Sequence, residues 1–345
     1  MLETGARISA VREERRQGRL DRDLKTAPPP RAGALVTLGQ IIRKSPNPRI
    51  IYELRSRLDV VFAGGRLTTS DAGFRGPDVR APKPPDVFRI VGIGDSYMFG
   101  QGVSDQETYL SSLGSLLRGA AAHPIIETLN LAVPGFNTVM EVELLKQRVA
   151  EFEPDMILIE IVGNDLDVPN FLWRPVDPWT FRKSFLFDFV RSRVDRRAAG
   201  DLMGADLDDA PRSPGSPAAT FSRAGDVPAA YTSMVGLPAF EGAVAELADL
   251  GRTRGVPVLA LTHGVWFEAK MTRALAKAGI TVLILRSALR QKARSLGAPD
   301  YPRSPLALGP ADLHPSVLGH RVIAEELSRW LADEHRDALA LARKR

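Results

Sequence analysis

The sequence predicts an α/β fold in which a mostly parallel sheet lies between two layers of helices. Short, nearly continuous apolar runs such as "VFRIVGIG" (87–94) and "DMILIEIVG" (155–163) are typical of strands buried on both faces. Between these runs, apolar residues recur at helical spacing. Because strands that alternate with helices form a parallel sheet covered on both sides, we expect a three-layer α/β/α sandwich.

The predicted elements follow one another in a regular order. Capping-box patterns at Ser104–Glu107 and Thr138–Glu141 each precede apolar residues at helical spacing, which predicts a helix after each of them. Further helices are predicted near 239–253, 267–278 and 317–331. The predicted strands are 87–94, 125–132, 155–163, 256–263 and 280–285.

Composition along the chain predicts three regions. Residues 1–45 are expected to form a charged N-terminal arm and linker, and residues 46–85 a lead-in segment packed on the domain that follows. That domain covers 86–345 and is interrupted at about 166–233 by an irregular insertion rich in Pro, Ser, Gly and Asp. An insertion of this length between a strand and its returning helix is uncommon in a compact domain and is often functional.

The overall composition is that of a globular protein, with 44% hydrophobic and 25% charged residues among 345. The formal charge of +5 is interspersed, so we expect no nucleic-acid partner. The lack of cysteine excludes disulfides, thiolate metal sites and a cysteine nucleophile. No apolar segment near the N-terminus is long enough for a secretion signal or a bilayer span. As written, the chain is therefore expected to be cytoplasmic, without stable membrane insertion.

The stretch "GIGDSYMFG" (92–100) is rich in glycine but fails three glycine motifs. A dinucleotide fingerprint would need glycine in place of Tyr97, and a Walker loop would need a lysine before the serine or threonine. A nucleophile elbow would need glycine in place of Met98. What remains is Ser96 on a tight turn at the carboxyl end of a strand, where open parallel sheets bind ligands.

A serine at this position needs a base, because its hydroxyl is a poor nucleophile at neutral pH. The sequence "DLHP" supplies His314 to take the proton of Ser96 and Asp312 to orient the imidazole. Acyl transfer also needs hydrogen-bond donors for the developing oxyanion. The backbone amides of Ser96 and Gly135 and the side-chain amide of Asn164 follow three different predicted strands at the same edge of the sheet.

Four blocks with polar or glycine residues follow one another along the chain: "GDSYMFGQGV" with Ser96, "NLAVPGFNT" with Gly135, "VGND" with Gly163 and Asn164, and "DLHPSVLGH" with Asp312 and His314. Together they resemble the SGNH, or GDSL, hydrolase family, over roughly residues 86–335. The resemblance implies a flavodoxin-like fold and ester hydrolysis or acyl transfer without a metal, on lipids, carbohydrates or thioesters. The upstream segment "TTSDAGFRGPDV" also resembles a segment found in a bacterial branch of the family.

We therefore predict a serine esterase that hydrolyses a carboxylic ester of a carbohydrate, a lipid or a small alcohol through an acyl-enzyme. The catalytic residues would be Ser96, Asp312 and His314, and the oxyanion donors Ser96, Gly135 and Asn164. No cofactor or metal is expected. Two alternatives remain open: an O-acyltransferase that uses the same residues, and a non-catalytic binding protein that keeps the fold.

The spacing between the acid and the histidine departs from much of the family. Two residues usually separate them, and the corresponding position here is Ala311, whereas Asp312 leaves only Leu313 before His314. Asp312 is our predicted acid, and Asp300 is the alternative. If neither contacts the histidine, the site would be a dyad.

Three other polar residues are expected to lie outside the catalytic set. His263 follows a predicted strand and could line the pocket, but it is left out of the catalytic set. His320 is expected to be structural. Arg75, in "GFRG", could pair with a carboxylate beneath the edge of the sheet or be solvated, and solvation is the preferred interpretation.

Overall fold

The structure is a computed structural model of the chain. It describes residues 4–5, 8, 28–120, 125–169, 172, 186, 227–263, 269–310 and 312–340. Most of the predicted N-terminal arm and most of the predicted insertion at 166–233 lie outside these residues. Among the described residues, no helix is long and apolar enough to cross a membrane.

Residues 28–86, before the central sheet, contain five short strands and one helical turn: β1 (Leu35–Val36), α1 (Leu38–Ile41), β2 (Ile42–Lys44), β3 (Tyr52–Leu54), β4 (Asp59–Phe62) and β5 (Gly65–Thr68). Strand β1 runs parallel to β4, and β5 pairs antiparallel with β4. Strands β2 and β3 form a separate antiparallel pair. The first two strands lie within the predicted arm but pair with strands of the lead-in, so the pairing does not follow the predicted boundary at residue 45.

The central sheet has five strands, all parallel to their neighbours. They are β6 (Val87–Ile93), β7 (Ile125–Asn130), β8 (Met156–Glu160), β9 (Val258–Thr262) and β10 (Thr281–Ile284). Their spatial order is β10-β9-β8-β6-β7. When the strands are numbered from 1 in chain order, this is the 2-1-3-4-5 order of the flavodoxin-like fold, read from the opposite edge. The predicted fold class is confirmed.

The helices form a layer on each face of the sheet. They are α2 (Ser96–Phe99), α3 (Tyr109–Ala120), α4 (Thr138–Phe152), α5 (Gly236–Arg254), α6 (Ala269–Lys277), α7 (Arg286–Ser295), α8 (Val317–Glu334) and α9 (Arg336–Ala340). Strand β7 lies on one side of β6, and the later strands are added on the other side. Right-handed crossovers therefore put the helices before and after β7 on opposite faces of the sheet. Helices α3, α7 and α8 pack together in one layer, and α4, α5 and α6 in the other.

Two local predictions about helix starts need correction. The capping box at Ser104 exists, but it opens a short 3-10 helix at Asp105–Glu107 rather than α3 itself. Helix α4 is capped by Asn137, whose side chain accepts a hydrogen bond from Met140 N, and not by Thr138. Asparagine is among the best helix N-caps, and it lies one residue before the predicted start.

Two elements near the C-terminus were not predicted. Helix α7 follows the last strand of the sheet, and a short antiparallel hairpin precedes α8. The hairpin consists of β11 (Ala307–Gly309) and β12 (Asp312–Pro315). The second of these strands contains the sequence "DLHP", so the predicted acid and base lie on a strand and not on a loop.

Candidate active site

Ser96 is the first residue of α2, and only Gly94 and Asp95 lie between it and the end of β6. The turn is shaped by Asp95, the N-cap, whose carboxylate accepts a hydrogen bond from Tyr97 N at 2.9 Å. The helix ends after one turn at Gly100, which has a left-handed φ of 84° that favours glycine. Strand, cap and turn together bring the Ser96 hydroxyl to the carboxyl edge of the sheet.

The side chains of Ser96, His314 and Asp312 form a continuous hydrogen-bonded chain. His314 Nε2 lies 2.8 Å from Ser96 Oγ, and His314 Nδ1 lies 2.5 Å from Asp312 Oδ1. With the ring proton on Nδ1, the imidazole donates to the carboxylate and accepts from the serine. The alternative acid, Asp300, instead accepts hydrogen bonds from the backbone and guanidinium of Arg303.

The short spacing between Asp312 and His314 follows from the strand. Successive side chains of a strand point to opposite faces, so residues i and i+2 lie on the same face. Asp312 and His314 in β12 are such a pair, and the backbone N–H of His314 also donates to Asp312 Oδ1 at 3.2 Å. The departure from the usual family spacing therefore does not separate the acid from the base.

The acid and the imidazole are held from several sides. The hydrogen bond from His314 lowers the pKa of Asp312, whose side chain is 46% exposed. The ring of Tyr97 packs against the imidazole of His314, with centroids 4.7 Å apart. The other neighbour of Tyr97 is His263, at 4.9 Å. His263 is fully buried next to this ring, so it does not line the pocket, a role that its position after a strand had left open.

Besides Ser96, the predicted oxyanion donors lie on the turns after β7 and β8, the two strands that flank β6. Gly135 follows β7 and has a φ of 80°, a backbone conformation that favours glycine. Asn164 lies in the 3-10 helix Gly163–Leu166 after β8, and its amide donates to Asp95 Oδ2 at 2.9 Å. A carboxamide has two N–H bonds, so this contact fixes the plane of the group and leaves one donor for a ligand.

Buried carboxyl groups lie beneath the edge of the sheet. Burial, together with neighbouring carboxylates, raises the pKa of Glu141 and of Asp165 well above the ordinary values. Burial also raises the pKa of Glu160, while His263, with Nδ1 at 2.7 Å, acts in the opposite direction. These acids therefore favour their neutral form more strongly than exposed carboxyls do.

His320 is structural, as expected. It is fully buried in α8, where its Nδ1 accepts a hydrogen bond from Tyr109 N. Burial lowers its pKa well below the ordinary histidine value, so the imidazole stays neutral.

The preferred interpretation of Arg75 as a solvated residue is wrong, and the alternative, a pair with a carboxylate, is what the structure shows. Its side chain is only 4% exposed, and Nε forms an ion pair with Asp105 Oδ1 at 2.8 Å. Nothing in the sequence alone distinguishes it from a solvated arginine, since the closest partners of its guanidinium lie 24 to 30 residues further along the chain. Among the described residues, no group of three or more His, Cys, Asp or Glu side chains could hold a metal ion.

Comparison with known proteins identifies the class of this chain. A model of the GDSL-like Lipase/Acylhydrolase family matches residues 93–322. The chain belongs to this family, and it is an enzyme that hydrolyses ester bonds. A search of curated protein sequences returned no match.

Several solved structures are similar to the chain. The α/β hydrolase LAE5, from the metagenome of Lake Arreo in Spain, has 16% identity over 73% of this chain and 95% of its own, with a TM-score of 0.42. The esterase EstA from Pseudoalteromonas sp. has 12% identity over 71% and 99%, with a TM-score of 0.41. The acetylxylan esterase Axe2 from Geobacillus stearothermophilus has 16% identity over 72% and 95%, with a TM-score of 0.40.

Proposed function

We propose that this protein is a serine esterase in which Ser96, His314 and Asp312 form the catalytic triad. The observation that carries the proposal is the hydrogen-bonded chain from Ser96 Oγ through both ring nitrogens of His314 to Asp312 Oδ1, at 2.8 and 2.5 Å. The first distance allows direct proton transfer between Ser96 and His314, and the second allows Asp312 to orient the imidazole; neither contact needs a bridging water.

The reaction begins when His314 Nε2 takes the proton of Ser96 as Oγ attacks the acyl carbonyl. The resulting imidazolium is stabilised by the carboxylate of Asp312, whose lowered pKa keeps it ionised. His314 then protonates the departing alcohol, leaving the acyl group on Ser96. A water molecule, deprotonated by the same histidine, releases the acid and restores the hydroxyl.

The negative oxygen of each tetrahedral intermediate needs donors that are already in place. The backbone amides of Ser96 and Gly135 and the second N–H of the Asn164 amide are our proposed donors. Asn164 is the best supported, since Asp95 holds its amide at 2.9 Å without using both of its N–H bonds. Because Asp95 also caps the helix that carries Ser96, one carboxylate fixes both the nucleophile and this donor.

We propose a carboxylic ester of a carbohydrate, a lipid or a small alcohol as the substrate. The test is a panel of p-nitrophenyl esters of increasing acyl length together with acetylated sugars, assayed with wild type, Ser96→Ala and the control Ser287→Ala. Ser287 is an exposed serine of α7. Hydrolysis should disappear only in Ser96→Ala.

Two outcomes would argue against this proposal. Equal hydrolysis by wild type and Ser96→Ala would remove the serine from the mechanism. Transfer of the acyl group to an added sugar or alcohol, in preference to water, would make the protein an acyltransferase. Product analysis with and without such acceptors separates these cases.

A further inference from the structure

The lead-in segment (46–85) contacts the helix that carries Ser96 through one buried arginine. The guanidinium of Arg75 donates from Nη1 to Phe99 O at 2.5 Å and to Gly100 O at 2.8 Å. Nη2 donates to Val103 O at 2.6 Å, and Nε to Asp105 Oδ1 at 2.8 Å. Arg75 therefore connects the lead-in to the whole loop that follows the proposed nucleophile.

These contacts matter because α2 has only one turn. The last carbonyl groups of any helix lack partners within the helix, and a single turn is unstable by itself. Arg75 satisfies two of these carbonyls, and Asn130 Nδ2 donates to a third, that of Met98, at 2.9 Å. The backbone N–H of Arg75 in turn donates to Asn130 O at 3.1 Å. The C-terminal end of α2 is thus held by a residue far upstream in the chain.

A second residue of the lead-in holds the turn that carries Gly135. The hydroxyl of Tyr52, in β3, donates to Pro134 O at 2.9 Å, and its ring packs edge-on against Phe136 with centroids 5.2 Å apart. A Cβ placed on Gly135 would lie 3.0 Å from the same hydroxyl. Burial raises the pKa of Tyr52 well above its ordinary value, so the hydroxyl remains a donor.

We propose that the lead-in segment contributes to catalysis by positioning two groups of the active site. Arg75 is a positioning residue for Ser96, and Tyr52 is a positioning residue for the Gly135 amide. The family match begins at residue 93, so both residues precede the matched segment. The inference rests on the proposed function. Misplacement of a reacting group by about 1 Å can cost about 100-fold in rate, so loss of either contact should reduce turnover more than substrate binding.

The same chain offers a matched control for Arg75. Arg89 is fully buried and uses its guanidinium in the same way, with Nε on Glu127 and the Nη atoms on the carbonyls of Phe152 and Arg80, at 2.6, 2.7 and 2.9 Å. It lies near the start of β6, at the end of the strand opposite Ser96. Lysine keeps the charge but loses the planar fork that reaches several acceptors.

The experiment compares Arg75→Lys, Arg89→Lys and Tyr52→Phe with wild type, using kcat and KM on a p-nitrophenyl ester and the melting temperature. Both lysine variants should melt at lower temperature. Of these two, only Arg75→Lys should have a lower kcat, by about 10- to 100-fold, with KM changed less than about threefold. Tyr52→Phe removes one hydrogen bond and should lower kcat by about fivefold.

Equal effects of Arg75→Lys and Arg89→Lys on kcat would overturn the proposal for Arg75, since a structural role would affect both alike. An unchanged kcat in Tyr52→Phe would overturn it for Tyr52, and this variant, which loses a single oxygen atom, keeps the test decisive if Arg75→Lys does not fold. Failure of the proposed function would look different: wild type itself would not be labelled at Ser96 by a fluorophosphonate.

Discussion

Replacing Asp312 with asparagine removes the charge behind the proposed base while keeping a side chain of the same shape. In the folded protein, Asp312 Oδ1 accepts from both the ring Nδ1 and the backbone N–H of His314. Asparagine can still accept one of these hydrogen bonds, but it cannot stabilise the imidazolium that forms when Ser96 loses its proton. The variant should therefore fold and bind substrate but turn over slowly.

The size of this effect depends on the exposure of the carboxylate. Two unit charges 4 Å apart interact by about 1 kcal/mol in water and by about 4 kcal/mol at an effective dielectric constant of 20. Because 46% of the Asp312 side chain is exposed, we take an intermediate value of about 2 to 3 kcal/mol. This corresponds to a loss in kcat of about 30- to 160-fold.

The assay is steady-state hydrolysis of p-nitrophenyl acetate at pH 8, with the melting temperature of each variant measured in parallel. Asp300→Asn is the matched control, because Asp300 bonds to Arg303 and should not affect turnover. A loss of less than about threefold in Asp312→Asn would refute the electrostatic role assigned to Asp312. A greater loss in Asp300→Asn than in Asp312→Asn would reverse the assignment of the acid.

Three further predictions concern the oxyanion donors and the buried acids. Asn164→Ala should lower kcat by about 100- to 1,000-fold with little change in KM, and an unchanged kcat would remove it as a donor. Gly135→Ala should lower both the melting temperature and kcat, because φ is 80° and the new Cβ would lie 3.0 Å from the Tyr52 hydroxyl; wild-type values would contradict this. Since the folded-state pKa of Glu141 is raised, its contribution to stability is present at acid pH and is lost as pH rises through that pKa. Between pH 5 and pH 9, the free energy of unfolding measured by urea titration should therefore fall less for Glu141→Gln than for wild type. An equal fall would contradict a raised pKa for Glu141.

The central sheet was predictable because its pattern is local. Each strand is a short apolar run bounded by glycine, proline or polar residues, and the connecting helices show apolar spacing within a few turns. The boundary errors have local causes as well: Asn137 and Thr138 are both acceptable N-caps, and only the backbone conformation selects the first. Helix α7 was missed because its sequence, "RSALRQKARS", is mostly polar and charged.

The parts of the site that were not predictable depend on distant contacts. "DLHP" has no strand pattern of its own, and it becomes a strand by pairing with Ala307–Gly309. That pairing explains why an acid and a base only two positions apart can contact each other. Arg75 is a stronger case, since its burial depends on carbonyl groups of a loop after a different element. No periodicity in the sequence contains this information.

The covalent state of Ser96 is the measurement closest to the proposed chemistry. Wild-type protein is treated with a fluorophosphonate, digested, and the modified peptide is identified by mass spectrometry. We expect one adduct on Ser96, none in Ser96→Ala, and slower formation in Asp312→Asn than in Asp300→Asn. An adduct on another residue, or equal labelling of wild type and Ser96→Ala, would contradict the proposed mechanism.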